Sequence, residues 1–113
     1  MRRSLWVKEV FGMVNVIASI RVKKDQRADF ITIFKSNIPA VLEEEGCIRY
    51  APAVDIDADL PGQSLDENVV TVIEKWSTLE DLKAHLVAPH MLAFRERVEG
   101  MVEDVNLKVL ESA

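Results

Sequence analysis

Apolar residues recur with a period of two in several stretches of the chain, and these are predicted to be strands. Residues 14 to 22 and 105 to 109 alternate apolar with polar, as strands with one buried face do. Residues 69 to 73 are all β-branched, and such side chains pack well on a pleated sheet. Residues 47 to 54 form the remaining predicted strand, where Pro52 indicates an edge or a bulge. Three of its side chains are expected to share one face: Ile48, Tyr50 and Val54.

Between the first two strands, the apolar residues follow the spacing of an amphipathic helix. Asp25 is placed to cap this helix, and Pro39 predicts a kink or an early stop because it lacks a backbone N–H. Gly46 is expected to close the helix as a left-handed C-cap. The apolar stripe occupies an arc of about 120° and consists of Phe30, Ile31, Phe34, Ile38, Val41 and Leu42.

A second helical region follows the third strand. Ser77 and Glu80 have the spacing of a capping box, which predicts a helix that begins at about Thr78. Pro89 interrupts the pattern and is expected to start a new helix at its first position. The apolar stripes of the two segments are Leu79, Leu82 and Leu86, then Met91, Phe94, Val98, Met101 and Val102.

The predicted element order is β-α-β-β-α-β, with the last helix interrupted. This order indicates an α+β fold of the ferredoxin-like type, with a four-stranded antiparallel sheet. The length of 113 residues suits one domain, which we place at residues 13–113 after an N-terminal extension at 1–12. An acidic run at residues 55–68 is predicted to be a long surface loop.

Composition and charge narrow the class of protein. The net charge is −5 and the basic residues form no run, so nucleic acid is not an expected partner. The single cysteine, Cys47, excludes an internal disulfide and favours a reducing compartment, hence the cytoplasm. Lys8 and Glu9 interrupt the apolar part of the N-terminal extension, so neither a signal peptide nor a membrane span is expected there. A start upstream of a natural Met13, or a docking arm, explains the extension better.

A sheet with helices on one face leaves its other face uncovered. Ile17 and Trp76 indicate that this face is partly apolar, and an apolar face needs a partner. The simplest solution is a second copy of the chain packed sheet to sheet. We therefore expect a homodimer with a pocket inside each subunit.

The candidate catalytic and substrate-binding side chains cluster in and after the predicted third strand. His85 lies at the edge of the second helix's apolar stripe, and His90 begins the next segment, where unpaired amides favour a neutral ring that can act as a base. Both histidines also fit a structural role, as hydrogen-bonded residues. Glu74 and Trp76 share a strand face, which favours a partnered glutamate and an indole that can stack on an aromatic substrate. Weaker candidates for substrate contact are Asn15, Tyr50 and Arg49.

No metal site or reactive thiol is expected. His85 and His90 are five residues apart, about 140° around a continuous helix, whereas two histidines that share a metal prefer i and i+4. Three aspartates of the acidic loop have calcium-loop spacing, but Leu60 stands where that loop requires glycine. Cys47 has no evident base beside it to activate the thiol.

Three short motifs together resemble the antibiotic biosynthesis monooxygenase domain of the dimeric α/β-barrel superfamily. They are E-E-E-G-C-I-R-Y at 43–50, V-I-E-K-W at 72–76 and H-L-V-A-P-H at 85–90, within a resemblance that covers roughly residues 14–110. The resemblance implies a small homodimer that oxidises a phenol or quinol with O2 and needs no cofactor. His85, with His90 as second candidate, would remove the substrate's proton. Haem-degrading relatives carry a tryptophan on the second helix where this chain has His85, so no haem is expected.

Two other functions fit the same residues. An isomerase or tautomerase, as in relatives that act on a phosphorylated signal sugar, would use the same proton abstraction without oxygen and would need a basic cluster beside the pocket. A non-enzymatic ligand-binding module would leave both histidines structural.

Overall fold

A computed structural model describes residues 12–113, so nearly all of the predicted N-terminal extension lies outside the described residues. The sheet is antiparallel with the strand order β2-β3-β1-β4, which confirms the predicted ferredoxin-like fold. No helix in this part of the chain is long and apolar enough to cross a membrane. The elements are β1 (Val14–Val22), α1 (Arg27–Leu42), β2 (Cys47–Ala53), β3 (Val69–Trp76), α2 (Leu79–Leu86), α3 (Pro89–Val98) and β4 (Val102–Leu110).

The register of the strands decides which side chains face the helices. Val16 lies opposite Glu74 on β3 and Val109 on β4, so these three side chains share the helix-facing side of the sheet. The same side carries the core, because the helices pack only there. The largest core side chains that are almost completely buried are Trp76, Phe30, Phe34, Val16, Val22, Val41, Val70 and Val72.

Two predictions about strand faces were wrong. Trp76 is opposite Val14 and fully buried, so it lies on the helix-facing side and adds nothing to the uncovered face. The register of β2 against β3 shifts between Cys47 and Arg49, and this irregularity breaks the alternation. As a result Tyr50 is buried while Ile48 is exposed, although the sequence pattern placed them on one face. The edge position predicted for β2 is confirmed.

The N-cap residues of α1 and α2 differ from the predicted ones, because the backbone conformation at each helix start places a neighbouring residue at the cap position. Asp25 has a positive φ of 65° in the turn before α1, and the N-cap is Gln26 without a side-chain hydrogen bond. Thr78, not Ser77, caps α2 by accepting from the Asp81 amide at 3.1 Å. Pro39 lies inside α1, which continues to Leu42, so the early stop does not occur. Pro89 stands in the first turn of α3, as predicted.

The turn between α1 and β2 brings the chain close to the start of α2. Gly46 has the predicted positive φ, at 80°, although it lies beyond the C-cap residue Glu43. A Cβ placed on Gly46 would overlap the Asp81 carboxylate and lie 2.7 Å from the Asp81 Cβ, a distance that real Cβ atoms essentially never show. The Gly46 carbonyl also accepts from the Ser77 amide at 2.8 Å. Glycine is therefore required here for its conformation and for its size.

The predicted loop between β2 and β3 is confirmed and spans residues 54–68. Its end is held by the Asp66 carboxylate, which accepts from Arg21 at 2.6 Å, while the Asp66 amide donates to Asp55 at 2.7 Å. These contacts are exposed and so contribute little to stability, but they fix the path of the loop.

We expect Gly46→Ala to lower the free energy of unfolding by about 3 kcal/mol or more, because the left-handed conformation and the contact with Asp81 both disfavour a Cβ. Gly62→Ala is the matched control, since Gly62 has a similar φ of 83° but no atom within 4 Å of the added Cβ. That variant should lose only about 1 to 2 kcal/mol. Urea unfolding measures both, and equal losses would show that the contact with Asp81 is unimportant.

Candidate active site

A cavity of about 460 Å³ lies between the helix-facing side of the sheet and the helices. Its wall is mostly apolar, with aromatic rings from α1 and α3 and aliphatic side chains from β1, β3 and β4. A pocket of this size and composition suits a small organic molecule. The side chains on its wall that carry polar groups are Tyr50, Glu74, His85, Arg95 and Glu99.

His85, in the last turn of α2, is the most enclosed polar side chain on this wall, at 2% exposure. Its ring lies 4.6 Å from the Trp76 ring and 5.3 Å from the Tyr50 ring, centroid to centroid. Its Nδ1 lies 2.8 Å from Oε2 of Glu44, and Nε2 has no hydrogen-bond partner within residues 12–113. Burial lowers the pKa of His85, while the bond to Glu44 and its negative charge oppose that shift. The result is a neutral imidazole at the cavity, suited to accept a proton.

Glu44 lies just after the end of α1, and its carboxylate is close to both histidines. The same Oε2 that meets His85 lies 3.1 Å from Nε2 of His90, although that approach is not aligned as a hydrogen bond. On the other side of the His90 ring, Asn37 Nδ2 is 3.2 Å from Nδ1 and 3.4 Å from the Met91 sulfur. His90 does not belong to the cavity wall. Within the described residues, no group of three or more His, Cys, Asp or Glu side chains is placed to hold a metal ion.

Glu74 is buried at 6% exposure and faces the cavity. It has a hydrogen-bonding partner, as expected for a glutamate in an apolar strand. The Trp76 indole N–H donates to its Oε1 at 3.0 Å. Burial raises the pKa of Glu74 to about 7, and the hydrogen bond from Trp76 opposes this shift without cancelling it. Trp76 itself is fully buried and is not part of the cavity wall, so it supports Glu74 from behind.

Of the remaining residues considered from the sequence, only Tyr50 lines the cavity. Tyr50 belongs to the cavity wall, stacked on Phe34 with centroids 5.2 Å apart, and burial raises its pKa. Asn15 is exposed on the opposite side of the sheet, because it pairs in register with Lys75 and Leu110 and so alternates with the core positions. Arg49 is also exposed. Burial raises the pKa of the Cys47 thiol, which disfavours the thiolate.

Three polar residues of the site were not predicted from the sequence. Arg95 at the cavity rim donates to the Leu86 carbonyl at the end of α2, and Glu99 lies beyond the end of α3. Helical spacing was a usable signal for Arg95, since it falls four residues after the buried Met91. Glu44 gave no such signal, because it stands within a run of three glutamates and meets His85 across 41 residues of chain.

Known proteins resemble this chain in sequence and in fold. A family model described as antibiotic biosynthesis monooxygenase matches residues 13–97. The protein named probable quinol monooxygenase YgiN, from Escherichia coli strain K12, is 41% identical over 101 residues, covering 88% of this chain and 97% of that protein. A conserved protein from Methanosarcina mazei Go1 superposes with a TM-score of 0.79 at 19% identity, covering 96% and 99% of the two chains. A conserved protein from Bacteroides thetaiotaomicron gives a TM-score of 0.72 at 25% identity, covering 89% and 98%.

We expect Glu74→Gln to stabilise the protein at high pH. A carboxyl whose folded pKa of about 7 exceeds its unfolded value contributes stability below the unfolded pKa and loses it as the pH rises through 7. The amide keeps an acceptor for Trp76 and cannot ionise. The free energy of unfolding of the variant minus that of wild type should therefore be about 3 kcal/mol greater above pH 8 than at pH 4.5. Urea unfolding of both proteins across this range measures it, and a constant difference would contradict the raised pKa.

Proposed function

Because the chain belongs to the antibiotic biosynthesis monooxygenase family, we propose that it is a monooxygenase that oxidises a small phenol or quinol with O2 and needs no cofactor. One observation carries the proposal: a mostly apolar cavity of about 460 Å³ holds a buried histidine with one ring nitrogen free of hydrogen bonds within residues 12–113. The quinol class comes from the name of the relative from Escherichia coli.

In the proposed reaction, His85 accepts the phenolic proton of the quinol on Nε2. The resulting anion is electron-rich and passes an electron to O2, after which a ring carbon and oxygen form a bond. Cleavage of the O–O bond then leaves one oxygen atom on the ring and releases the other as water, so that quinol and O2 give hydroxyquinone and water. The apolar wall keeps bulk water away from the reactive intermediates.

Other cavity residues favour the same chemistry. With a pKa of about 7, Glu74 is partly protonated near neutral pH and can donate a hydrogen bond to a substrate oxygen. Arg95 at the rim adds a positive charge that favours the anionic form of the substrate. An isomerase of phosphorylated sugars is less well supported. Arg95 is the single Lys or Arg on the described cavity wall, and Glu99 beside it opposes its charge.

The proposed enzyme is a homodimer in which the uncovered sheet faces meet. Ile17 and Ile73 lie opposite each other at the centre of that face, and both are half-buried in the single chain. Ala51 adjoins Ile73 on β2 and extends this apolar centre. In a two-fold symmetric dimer, this patch on one subunit would pack against the identical patch on the other, which is an isologous interface.

We expect His85→Gln to lower kcat by about 10² to 10⁴ fold, the usual range for loss of a general base. The glutamine amide fills much of the same space and is not a useful base at neutral pH. An oxygen electrode with a panel of benzo- and naphthoquinols measures turnover, without added metal or flavin, and ¹⁸O2 should place one labelled atom in the product.

His90→Gln is the matched control, since His90 lies off the cavity wall and should retain most of the activity. Full turnover by His85→Gln, or substrate conversion without oxygen uptake, would contradict the proposed reaction.

The dimer is tested by sedimentation at micromolar concentration, where we expect twice the chain mass of 12.8 kDa. Ile73→Glu should weaken the dimer by about tenfold or more, because it buries a charge between Ile17 and Ala51 at the proposed interface. Leu42→Glu, at a side chain that is 51% exposed on α1, makes the same change away from the sheet and should remain dimeric. A wild-type monomer would refute the interface.

A further inference from the structure

The carboxylate of Glu44 lies behind the proposed base and not in the cavity, which suggests a role that acts through His85. We propose that Glu44 is a positioning residue: it fixes His85 in the tautomer with hydrogen on Nδ1, so that Nε2 is the proton acceptor facing the cavity. This inference rests on the proposed function only where turnover is concerned. The tautomer is a property of the protein alone.

The tautomer follows from the hydrogen-bonding capacity of each group. An ionised carboxylate only accepts hydrogen bonds, so the 2.8 Å contact requires Nδ1 of His85 to donate. A neutral imidazole carries one ring hydrogen, which leaves a lone pair on Nε2. The rings of Trp76 and Tyr50 pack against the imidazole and limit its rotation. The lone pair on Nε2 of His85 is therefore held in a fixed orientation.

The contacts around His90 determine where its own ring hydrogen lies. The Asn37 amide nitrogen lies near both the Met91 sulfur, a weak acceptor, and Nδ1 of His90, which makes that ring nitrogen the acceptor. The hydrogen of neutral His90 is then on Nε2, the atom 3.1 Å from Glu44 Oε2. That approach is not aligned as a hydrogen bond, so of the two histidines only His85 is hydrogen-bonded to the Glu44 carboxylate.

Charge explains why a carboxylate serves better than a neutral acceptor. The titratable and charged groups around His85 are Glu44 after α1, His90 and Arg95 on α3, and Tyr50 and Glu74 on the sheet. Glu44 alone among them contacts His85 with a negative charge. When the base takes up a proton, the imidazolium forms in a place where burial disfavours charge, and Glu44 offsets that cost.

The first test is the tautomer itself, read from the ring ¹⁵N shifts of His85 in the full chain. The chain has only two histidines, so His90→Gln assigns the signals. We expect a protonated Nδ1 and an unprotonated Nε2 in wild type. Glu44→Met removes the acceptor at similar volume and should move the hydrogen to Nε2. Glu45→Met, the same change at the exposed neighbouring residue, should leave the wild-type pattern.

The second test is turnover with a quinol that the wild-type enzyme oxidises. Glu44→Met should lower kcat by about 10² to 10³ fold and change KM by less than about threefold, because the carboxylate touches no substrate. Glu44→Gln keeps an acceptor without the charge, so its kcat should fall less. Glu44 raises the pKa of His85, and the rising limb of kcat against pH should therefore move to lower pH in both variants. Glu45→Met should behave as wild type.

The outcomes separate the two proposals. Wild-type His85 with its hydrogen on Nε2 would overturn the positioning role without any variant, as would wild-type ring shifts or wild-type kcat in Glu44→Met. The expected tautomer in a protein that consumes no oxygen with any quinol would overturn the proposed function and leave the positioning of His85 by Glu44 supported.

Discussion

The close approach of Gly46 to the start of α2 is the constraint on which the site depends. The absence of a side chain and a positive φ let the turn pass against Asp81, and the Gly46 carbonyl pairs with the Ser77 amide there. This contact places the turn after α1, in which Glu44 lies two residues before Gly46, against the start of α2. Without it, Glu44 and His85 have no local reason to meet, since 41 residues separate them. One glycine therefore fixes the turn that carries Glu44, the residue that contacts His85.

Burial against the apolar cavity wall shifts the pKa values of two ionisable groups in opposite directions. Burial lowers the pKa of His85 and raises that of Glu74 to about 7, so near neutral pH His85 favours its neutral form and Glu74 is partly protonated. A neutral histidine accepts a proton and a neutral carboxylic acid donates a hydrogen bond. The apolar wall thus favours a proton acceptor and a hydrogen-bond donor side by side in the proposed site.

Much of the fold follows from sequence period, and the family resemblance drawn from three motifs is confirmed, as is the monooxygenase class that it implies. The errors arose where backbone geometry decides between similar residues. Ser77 and Thr78 can both cap a helix, and in the fold it is Thr78 that is extended and accepts from the Asp81 amide. The register shift after Cys47 has no compositional signal. The choice of Glu44 among three adjacent glutamates depends on contacts that form only in the fold.

The break between α2 and α3 explains why two histidines five residues apart reach one carboxylate. On a continuous helix they would point about 140° apart. Ala88 is instead extended, with φ −60° and ψ 139°, and Pro89 starts α3 in a new direction, which brings His90 back toward Glu44. The H-x-x-x-P-H motif therefore specifies a helix junction. On one side of this junction, His85 faces the cavity. On the other side, His90 on α3 is hydrogen-bonded to Asn37 on α1.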